Sequence, residues 1–437
     1  MIVNLGEIAI VRNGAGIKQE FFASEGIPLA RVTNFTDTSI DLFGCVRVCK
    51  LHAKKWQSYF LKNGDILVAT VGSWPPNWSS VVGKTIRVPF TANNAIQNQN
   101  TCCVIAKPIR ANQDYLYYLL RTKDFIQYAA NSASGSANQA RLSVAKLEQF
   151  TFNLPSIETQ EKIGQILSTL DDRITLLRET NATFEAIAQA LFKSWFVDFD
   201  PVHAKAQGTK PEGMDEQTAA LFPDSFEASE LGMVPVGWEV GTLENCCLRV
   251  ESGGTPKRTT SEYWNGEISW LTSGEVRQPI VFETKETITE LGIKESSAKI
   301  WETGTTVVAM YGATAGEVCL LAQPSTANQA CCGLIPRKDF RTFLFFCVRR
   351  ESQNLASKSS GSAQQNLNKG LVAGHQVLIP SEQVVTTYEK ITGTLLNSWI
   401  SNEKKAKTLA NLRDTLLPRL ISGQLRLPDV VDHLGEI

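Results

Sequence analysis

Leu61-Lys62-Asn63-Gly64-Asp65-Ile66-Leu67-Val68-Ala69-Thr70-Val71-Gly72 returns 240 residues later as Trp301-Glu302-Thr303-Gly304-Thr305-Thr306-Val307-Val308-Ala309-Met310-Tyr311-Gly312. Internal repetition of this kind decides architecture before any local reading does. Working outward, Gly26-Ile27-Pro28-Leu29-Ala30 aligns with the apolar run after Gly266 at an offset near 241. Asn98-Gln99 returns as Asn328-Gln329 with cysteines just behind each pair. Ser134-Gly135-Ser136-Ala137-Asn138-Gln139 returns as Ser360 to Gln365, and Leu154-Pro155-Ser156 returns as Ile379-Pro380-Ser381, where the offset has fallen to 225. Collinear blocks with a steadily shrinking offset are two copies of one domain that differ by loop lengths. The shared blocks are apolar or Gly-bearing and the stretches between them differ, so one scaffold carries two different surfaces.

Each copy opens with short β-like runs, Asp65 to Val71 and Thr101 to Ala106 in the first, Thr305 to Tyr311 and Cys331 to Ile335 in the second. Helical segments follow, such as Tyr115 to Ala130 and Arg341 to Leu355. After Pro155 the pattern becomes a heptad seam: Ile163, Leu167, Leu170, Ile174, Leu177, Asn181, Phe184, Ala188, Leu191 and Trp195 alternate spacings of four and three. Ser156 suits the N-cap, with Glu158 and Glu161 placed for the helix dipole. Asn181 is a lone polar seam residue of the kind that fixes register. Displaced by 225, a weaker stripe runs Tyr388, Thr392, Leu395, Trp399, Asn402, Ala406, Leu409, Arg413, Leu416 and Leu420. About 40 residues at 1.5 Å each make a rod of roughly 60 Å, longer than one small domain needs, so the two rods are expected to pair with each other.

The predicted fold is therefore α+β: two similar domains separated by two long helices forming an antiparallel coiled coil, with pseudo-two-fold symmetry. The expected boundaries are a first domain over 1–153, a long helix over 154–198, a linker rich in Pro and Gly over 199–235, a second domain over 236–380, a second long helix over 381–422 and a tail over 423–437.

Composition excludes several classes. The chain has 437 residues, of which 43% are hydrophobic, enough for full cores. A basic n-region followed by an apolar h-region is missing from Met1 to Gly14, and no stretch of about 18 apolar residues occurs; a soluble, cytoplasmic protein is the expectation. Ten cysteines include three adjacent pairs but no C-x-x-C, and the four histidines lie near no cysteine cluster at ligand spacing. Buried, reduced core thiols and no metal are expected. Lys plus Arg number 43 against 44 Asp plus Glu, a balance unlike most free-standing DNA binders, tolerable where a partner subunit shares the phosphate contacts.

The residues at the helix boundaries resemble a known family, the specificity subunits of Type I restriction-modification systems. Leu154-Pro155 through Glu161-Lys162-Ile163 is similar to that family's entry into its central helix, and Phe192-Lys193-Ser194-Trp195-Phe196-Val197-Asp198-Phe199-Asp200-Pro201 to its exit. Leu221 to Phe226, Pro235-Val236-Gly237-Trp238, Ser252-Gly253-Gly254-Thr255-Pro256 and Leu417-Pro418-Arg419-Leu420-Ile421-Ser422-Gly423 carry the same likeness, which spans essentially the whole chain. The first copy departs from the pattern by lacking the Pro-x-Gly-Trp lead-in. The resemblance implies two target-recognition domains, each reading half of a split, asymmetric site on double-stranded DNA, with helices that act as a ruler and dock two methyltransferase subunits and the restriction and translocase subunits. It implies no catalysis and no cofactor in this chain, and S-adenosylmethionine, ATP and Mg in the partners.

Base edges are read by side chains with paired donors and acceptors on loops that reach a groove. In the first domain the candidates are Lys18, Arg31, Thr33, Asn34, Ser73, Trp74, Asn98, Gln99, Ser136, Asn138 and Arg141. In the second they are Lys257, Arg258, Thr272, Ser273, Tyr311, Thr314, Asn328, Gln329, Ser362 and Gln365. The shared pairs Asn98-Gln99 and Asn328-Gln329 have a second reading, as braces of the scaffold or phosphate contacts common to both copies. Discrimination should live where the copies differ, at Trp74, Lys257 and Arg258, although a solvated basic pair beside a turn reads the same way.

Catalytic signals fail in turn. Gly83-Lys84-Thr85 ends like a phosphate loop, but the upstream glycine position holds Trp78 and a strand-like run follows. Pro75-Pro76-Asn77-Trp78 reverses the order that adenine methyltransferases use, and no Gly-rich S-adenosylmethionine loop accompanies it. A base-modifying centre would come from another chain. Two rival readings stay open: a stand-alone methyltransferase with a cryptic site, and a coiled-coil scaffold with no DNA role.

Overall fold

The computed structural model describes residues 1–136, 139–358 and 366–425. Its two compact units are Met1–Ile174 with the chain from Lys407 onward, and Thr175–Ala406. Both long helices, Ile157–Phe196 and Glu382–Ile421, are divided between them. Each unit therefore consists of one sequence repeat, the opening turns of that repeat's own helix and the closing turns of the other.

In the first unit, Ala9–Asn13, Thr101–Ala106, Ile66–Ala69 and Thr85–Arg87 form an antiparallel sheet in that order. Ile66, Leu67 and Val68 have no exposed surface, which is why this strand reads as a continuous apolar run rather than an alternation. A second sheet orders Phe22–Ala23, Arg47–Val48, Ile27–Ala30 and Ile96–Gln97, the last pair parallel. Ile2–Asn4 pairs with Thr151–Asn153 and closes the edge that the missing lead-in left undefined. The expected helix from Tyr115 is two, Gln113–Leu119 and Lys123–Ser132, broken where the Thr122 side chain caps the second.

The first long helix starts where the Ser156 hydroxyl accepts the Thr159 N–H at 3.3 Å. Gln160, almost fully buried, accepts the Asn112 N–H and donates to the Pro155 carbonyl, fastening the first turn to the domain. Ile163, Leu167 and Leu170 share a core with Leu416, Leu417 and Leu420. The two segments run antiparallel.

The second unit repeats this plan. Cys247–Ser252, Cys331–Pro336, Thr306–Ala309, Val318–Leu321 and Ile280–Val281 form the larger sheet, and Glu286–Ile288, Trp264–Leu271 and Thr326–Ala327 the smaller, again with one parallel pair. Glu239–Thr242 with Gln376–Ile379 takes the place of the first unit's edge pair. Ala188, Phe192 and Trp195 pack with Tyr388, Leu396 and Trp399, antiparallel as before. Asn181 donates to Glu403 at 3.3 Å, a polar contact in the seam.

The stretch expected as a linker is folded. Asp200–Ala206 and Glu216–Ala220 are helices and Phe226–Ser229 forms a hairpin with Gly232–Pro235. Val202 and Phe222 reach the core beside Trp195 and Trp238. Its prolines and glycines mark helix starts and turns, not a lack of structure; Pro201 sits in the first turn of its helix, where a missing N–H costs nothing. All ten cysteines are free, seven of them buried, and burial pushes the Cys102 and Cys332 thiols up to about 12.

Candidate nucleic-acid interface

In both repeats the candidates gather where the parallel strand pair ends. In the first unit Ile27–Ala30 lies parallel to Ile96–Gln97, and the Asn98 N–H continues the pairing by donating to the Ala30 carbonyl at 3.0 Å. Arg31, Thr33 and Asn34 leave one strand at the point where Asn98 and Gln99 leave the other. The loop carrying Lys18 arrives through Gly14, where an added Cβ would lie 2.0 Å from the Asn98 carbonyl oxygen. Only glycine permits that approach. The Thr70 N–H donates to the Asn100 carbonyl, and beyond it Val71–Gly72 pairs with Gln139–Arg141, which pairs with Ser134–Ser136. Ser136 and Arg141 thus lie in a small sheet beside the same turn, and Ser73 and Trp74 follow directly on its Val71–Gly72 strand.

The second unit builds the same corner. Trp264–Leu271 runs parallel to Thr326–Ala327, and the Asn328 N–H donates to the Leu271 carbonyl at 2.9 Å. Gly253 lies so close that a Cβ would meet the Asn328 carbonyl at 2.2 Å. Thr272 and Ser273 leave one strand beside Asn328 and Gln329. The Met310 N–H reaches the Ala330 carbonyl and brings Tyr311 alongside.

Local bonding separates exposed side chains from committed ones. The Asn98 side chain accepts the Asn100 N–H at 3.2 Å and Asn328 accepts the Ala330 N–H at 3.1 Å, so both asparagines hold the turn itself. Gln99 and Gln329 face outward, Gln329 bonded to the Thr255 hydroxyl. Lys18, Arg31, Thr33, Arg141, Lys257 and Tyr311 are exposed. Ser73 donates within its own loop to the Asn77 carbonyl, and Trp74 lies against the core with its indole N–H on the Ser136 carbonyl. Asn34 accepts the Arg31 N–H, Thr272 donates to Glu275, and Thr314 is buried with its hydroxyl on the Tyr311 carbonyl. These side chains hold the shape of their loops. Asn138, Ser362 and Gln365 lie outside the described residues.

Arg258 has the most local partners of the candidates. Its guanidinium forms a two-pronged pair with Glu286 and stacks 3.9 Å from the Trp264 ring centre and 4.7 Å from that of Trp270. The hydrogen bond from Arg258 holds the Glu286 carboxyl below the usual carboxylate range. Sequence reasoning missed Trp264, Trp270 and Glu286, although two tryptophans six apart in a strand share a face by its period of two. It also missed Gln97, fully buried, which donates to the Thr101 carbonyl at 2.9 Å and ties the turn to the first sheet.

Each unit also holds a groove where the closing turns of a long helix meet its domain. In the first unit it measures ≈ 810 Å³ and is lined by Leu119, Arg121, Lys123, Leu417 and Ile421 among others. In the second unit Phe192, Lys193, Val197, Phe346 and Arg349 line one of ≈ 370 Å³. The offset of 225 places Phe192 on Leu417 and Val197 on Ser422, so the two grooves occupy corresponding places in the repeat. No helix among the described residues is long and apolar enough to cross a membrane.

Comparison with known proteins agrees with this architecture. The family model for the Type I restriction modification DNA specificity domain matches residues 1–186 and 235–412, once per repeat. The chain is 28% identical over 411 residues to the Type I restriction enzyme HindI specificity subunit of Haemophilus influenzae, covering 84% of this chain and 87% of that protein. It is 25% identical over 348 residues to the MjaIX specificity subunit of Methanocaldococcus jannaschii, covering 78% and 74%. The S subunit of the M. genitalium Type I system has a similar fold, with a TM-score of 0.58 at 16% identity and 96% of each chain covered. Two matches of one model, falling on two copies of one corner, leave no competing assignment: the chain belongs to the Type I restriction modification DNA specificity domain family.

Proposed function

We propose that this chain is the non-catalytic, sequence-reading subunit of a cytoplasmic Type I restriction-modification complex and recognises a split, asymmetric site on double-stranded DNA. The observation that carries this is the duplicated corner: one backbone frame, held by equivalent glycines and asparagines, displays Lys18, Arg31 and Arg141 in one copy and Lys257 and Tyr311 in the other. A conserved frame with different exposed donors suits two half-sites of different sequence. S-adenosylmethionine, ATP and Mg belong, on this reading, to methyltransferase and restriction subunits, and each methyltransferase extrudes and methylates an adenine.

The test is a map of methylated adenines in cells with and without this chain. A two-part motif will vanish on deletion. Methylation unchanged by deletion would overturn the assignment, and turnover of S-adenosylmethionine by the chain alone would favour the stand-alone enzyme. A scaffold without a DNA role predicts no salt-dependent binding to DNA even with the methyltransferase present.

The paired grooves support two methyltransferase partners. Each offers apolar side chains rimmed by arginine or lysine, and each lies in its own unit, so one substitution addresses one dock. Ser422→Arg, at an exposed position, and Val197→Arg at the corresponding one should each reduce the complex from two methyltransferase subunits to one by native mass spectrometry. Two subunits retained in both variants would place the docks elsewhere.

A further inference from the structure

The loop Gly253–Arg258 of the second domain is fastened along its length. Trp270, buried, donates its indole N–H to the Gly254 carbonyl at 2.9 Å, and Trp264 donates its own to the Lys257 carbonyl at 3.2 Å. The two rings meet edge to face, with centres 5.0 Å apart and planes at 88°. The Arg258 guanidinium lies over both rings, and its two terminal nitrogens close on the two oxygens of Glu286. Glu286 is itself fixed, since its strand pairs with the tryptophan strand at Trp270. Between these ties the Thr255 hydroxyl binds the Gln329 side chain and Pro256 is buried. Lys257 projects from this braced segment, exposed and without an ion pair among the described residues.

Reading a base with arginine takes the open fork of the guanidinium, two parallel N–H groups aimed at two acceptors. In Arg258 that fork is occupied by a carboxylate in the same two-pronged geometry, and its face lies on aromatic rings. Lysine needs no fork: its ammonium is a compact donor at the end of a flexible stem. A rigid loop that holds the stem's origin removes most of the uncertainty in where that donor arrives.

We infer that Lys257 is the residue of this loop that contacts an acceptor-bearing base edge in the second half-site, and that Arg258 is a positioning residue, locking the loop through Trp264, Trp270 and Glu286. The inference rests on the DNA-reading function proposed above. It applies to one half-site only, because the strand that corresponds to Trp264–Leu271 in the first domain, Ile27-Pro28-Leu29-Ala30, contains no tryptophan.

The experiment uses the complex assembled with its methyltransferase subunits. Methylation is measured in each half of the cognate site and of duplexes carrying single-base changes in the second half. Lys257→Ala should lower discrimination at one base pair of the second half-site by roughly tenfold or more and leave the first half-site unchanged. Arg258→Lys keeps the charge but loses fork and stacking, so it should lose discrimination at that same base pair. Glu286→Gln should do likewise, although it removes a negative charge from a DNA-facing surface. The inference is overturned if Arg258→Lys matches wild type while Arg258→Ala does not, since charge alone would then suffice. Tighter DNA binding with intact discrimination in Glu286→Gln would equally sink it, by showing a restrained reader set free. Uniform weakening in Lys257→Ala across all sequences would make Lys257 a phosphate contact and overturn its half of the inference. A wild-type complex that methylates no split site would instead refute the proposed function.

Discussion

Replacing Asp171 by alanine will destabilise the first unit by about 3–5 kcal/mol, the usual cost of stranding a buried ion-pair partner. Asp171 lies on the first long helix and accepts from Arg413 on the second, from Tyr118 at 2.7 Å, and faces Arg121 at 3.7 Å. Only 9% of the Arg413 side chain and 17% of that of Asp171 is exposed. Burial works against the Arg413 charge, but Asp171 and Asp414 outweigh it and hold the guanidinium above its usual value. The network continues into the domain: Arg121 donates to the Tyr117 hydroxyl at 3.0 Å, and Arg87 stacks 4.2 Å from the Tyr117 ring centre while pairing with Asp114. Without the carboxylate, two guanidinium groups keep their desolvation cost and lose their main acceptor. The repeat suggests the rescue. Displaced by 225, Asp171 corresponds to Leu396 and Arg413 to Ala188, both buried in the second unit. Asp171→Leu combined with Arg413→Ala should therefore recover at least half of the loss, because the apolar pair removes the more deeply buried of the two guanidinium groups and leaves only Arg121 without the carboxylate. Urea unfolding followed by hydrogen exchange in each unit would measure both effects. Loss of protection shared equally by both units, or a double variant no better than the single, would contradict this account.

The same pair shows what sequence carries and what it does not. The duplication was readable because its blocks are apolar or glycine-bearing and recur in order, whereas the equivalence of Gly14 and Gly253, each set against backbone that no Cβ could approach, is visible only in the structure. The first helical stripe was equally clear, being local and periodic. The pairing of Arg413, a member of the weaker second stripe, was not legible, since its counter-charge lies 242 residues away and no local pattern announces it. The Arg258 pairing was hidden for the same reason: Glu286 is 28 residues distant, and the bond becomes visible only once the two strands pair. The segment over 199–235 misled in the other direction. Proline and glycine counts describe turns, whereas Val202 and Phe222 decide that the turns pack. Local chemistry thus fixes where the candidate corners lie, while long-range pairing decides which side chains there remain free to act.

Phe196→Ala should destabilise the second unit by about 3–5 kcal/mol, in the range for truncating a buried aromatic ring. Phe196 is 6% exposed and touches five other rings: Phe192, Trp195, Trp238, Phe343 and Tyr388. These come from the closing turns of the first long helix, the entry to the second domain, the domain's own helix and the opening turns of the second long helix. One ring therefore holds four stretches of chain together. Tyr388 adds a hydrogen bond from its hydroxyl to the Ala188 carbonyl at 3.0 Å, directed across the two helices. The cavity left by alanine is bordered by rigid aromatic rings on several sides, so the site can collapse only partly and the cost should fall toward the upper end. Phe196→Leu, which keeps most of the volume, should lose less than half as much. The functional consequence is directional: methylation of the second half-site should become temperature-sensitive well before that of the first. Equal temperature sensitivity of both halves would mean that the two units do not unfold separately, and the ring cluster would then be supporting the whole chain.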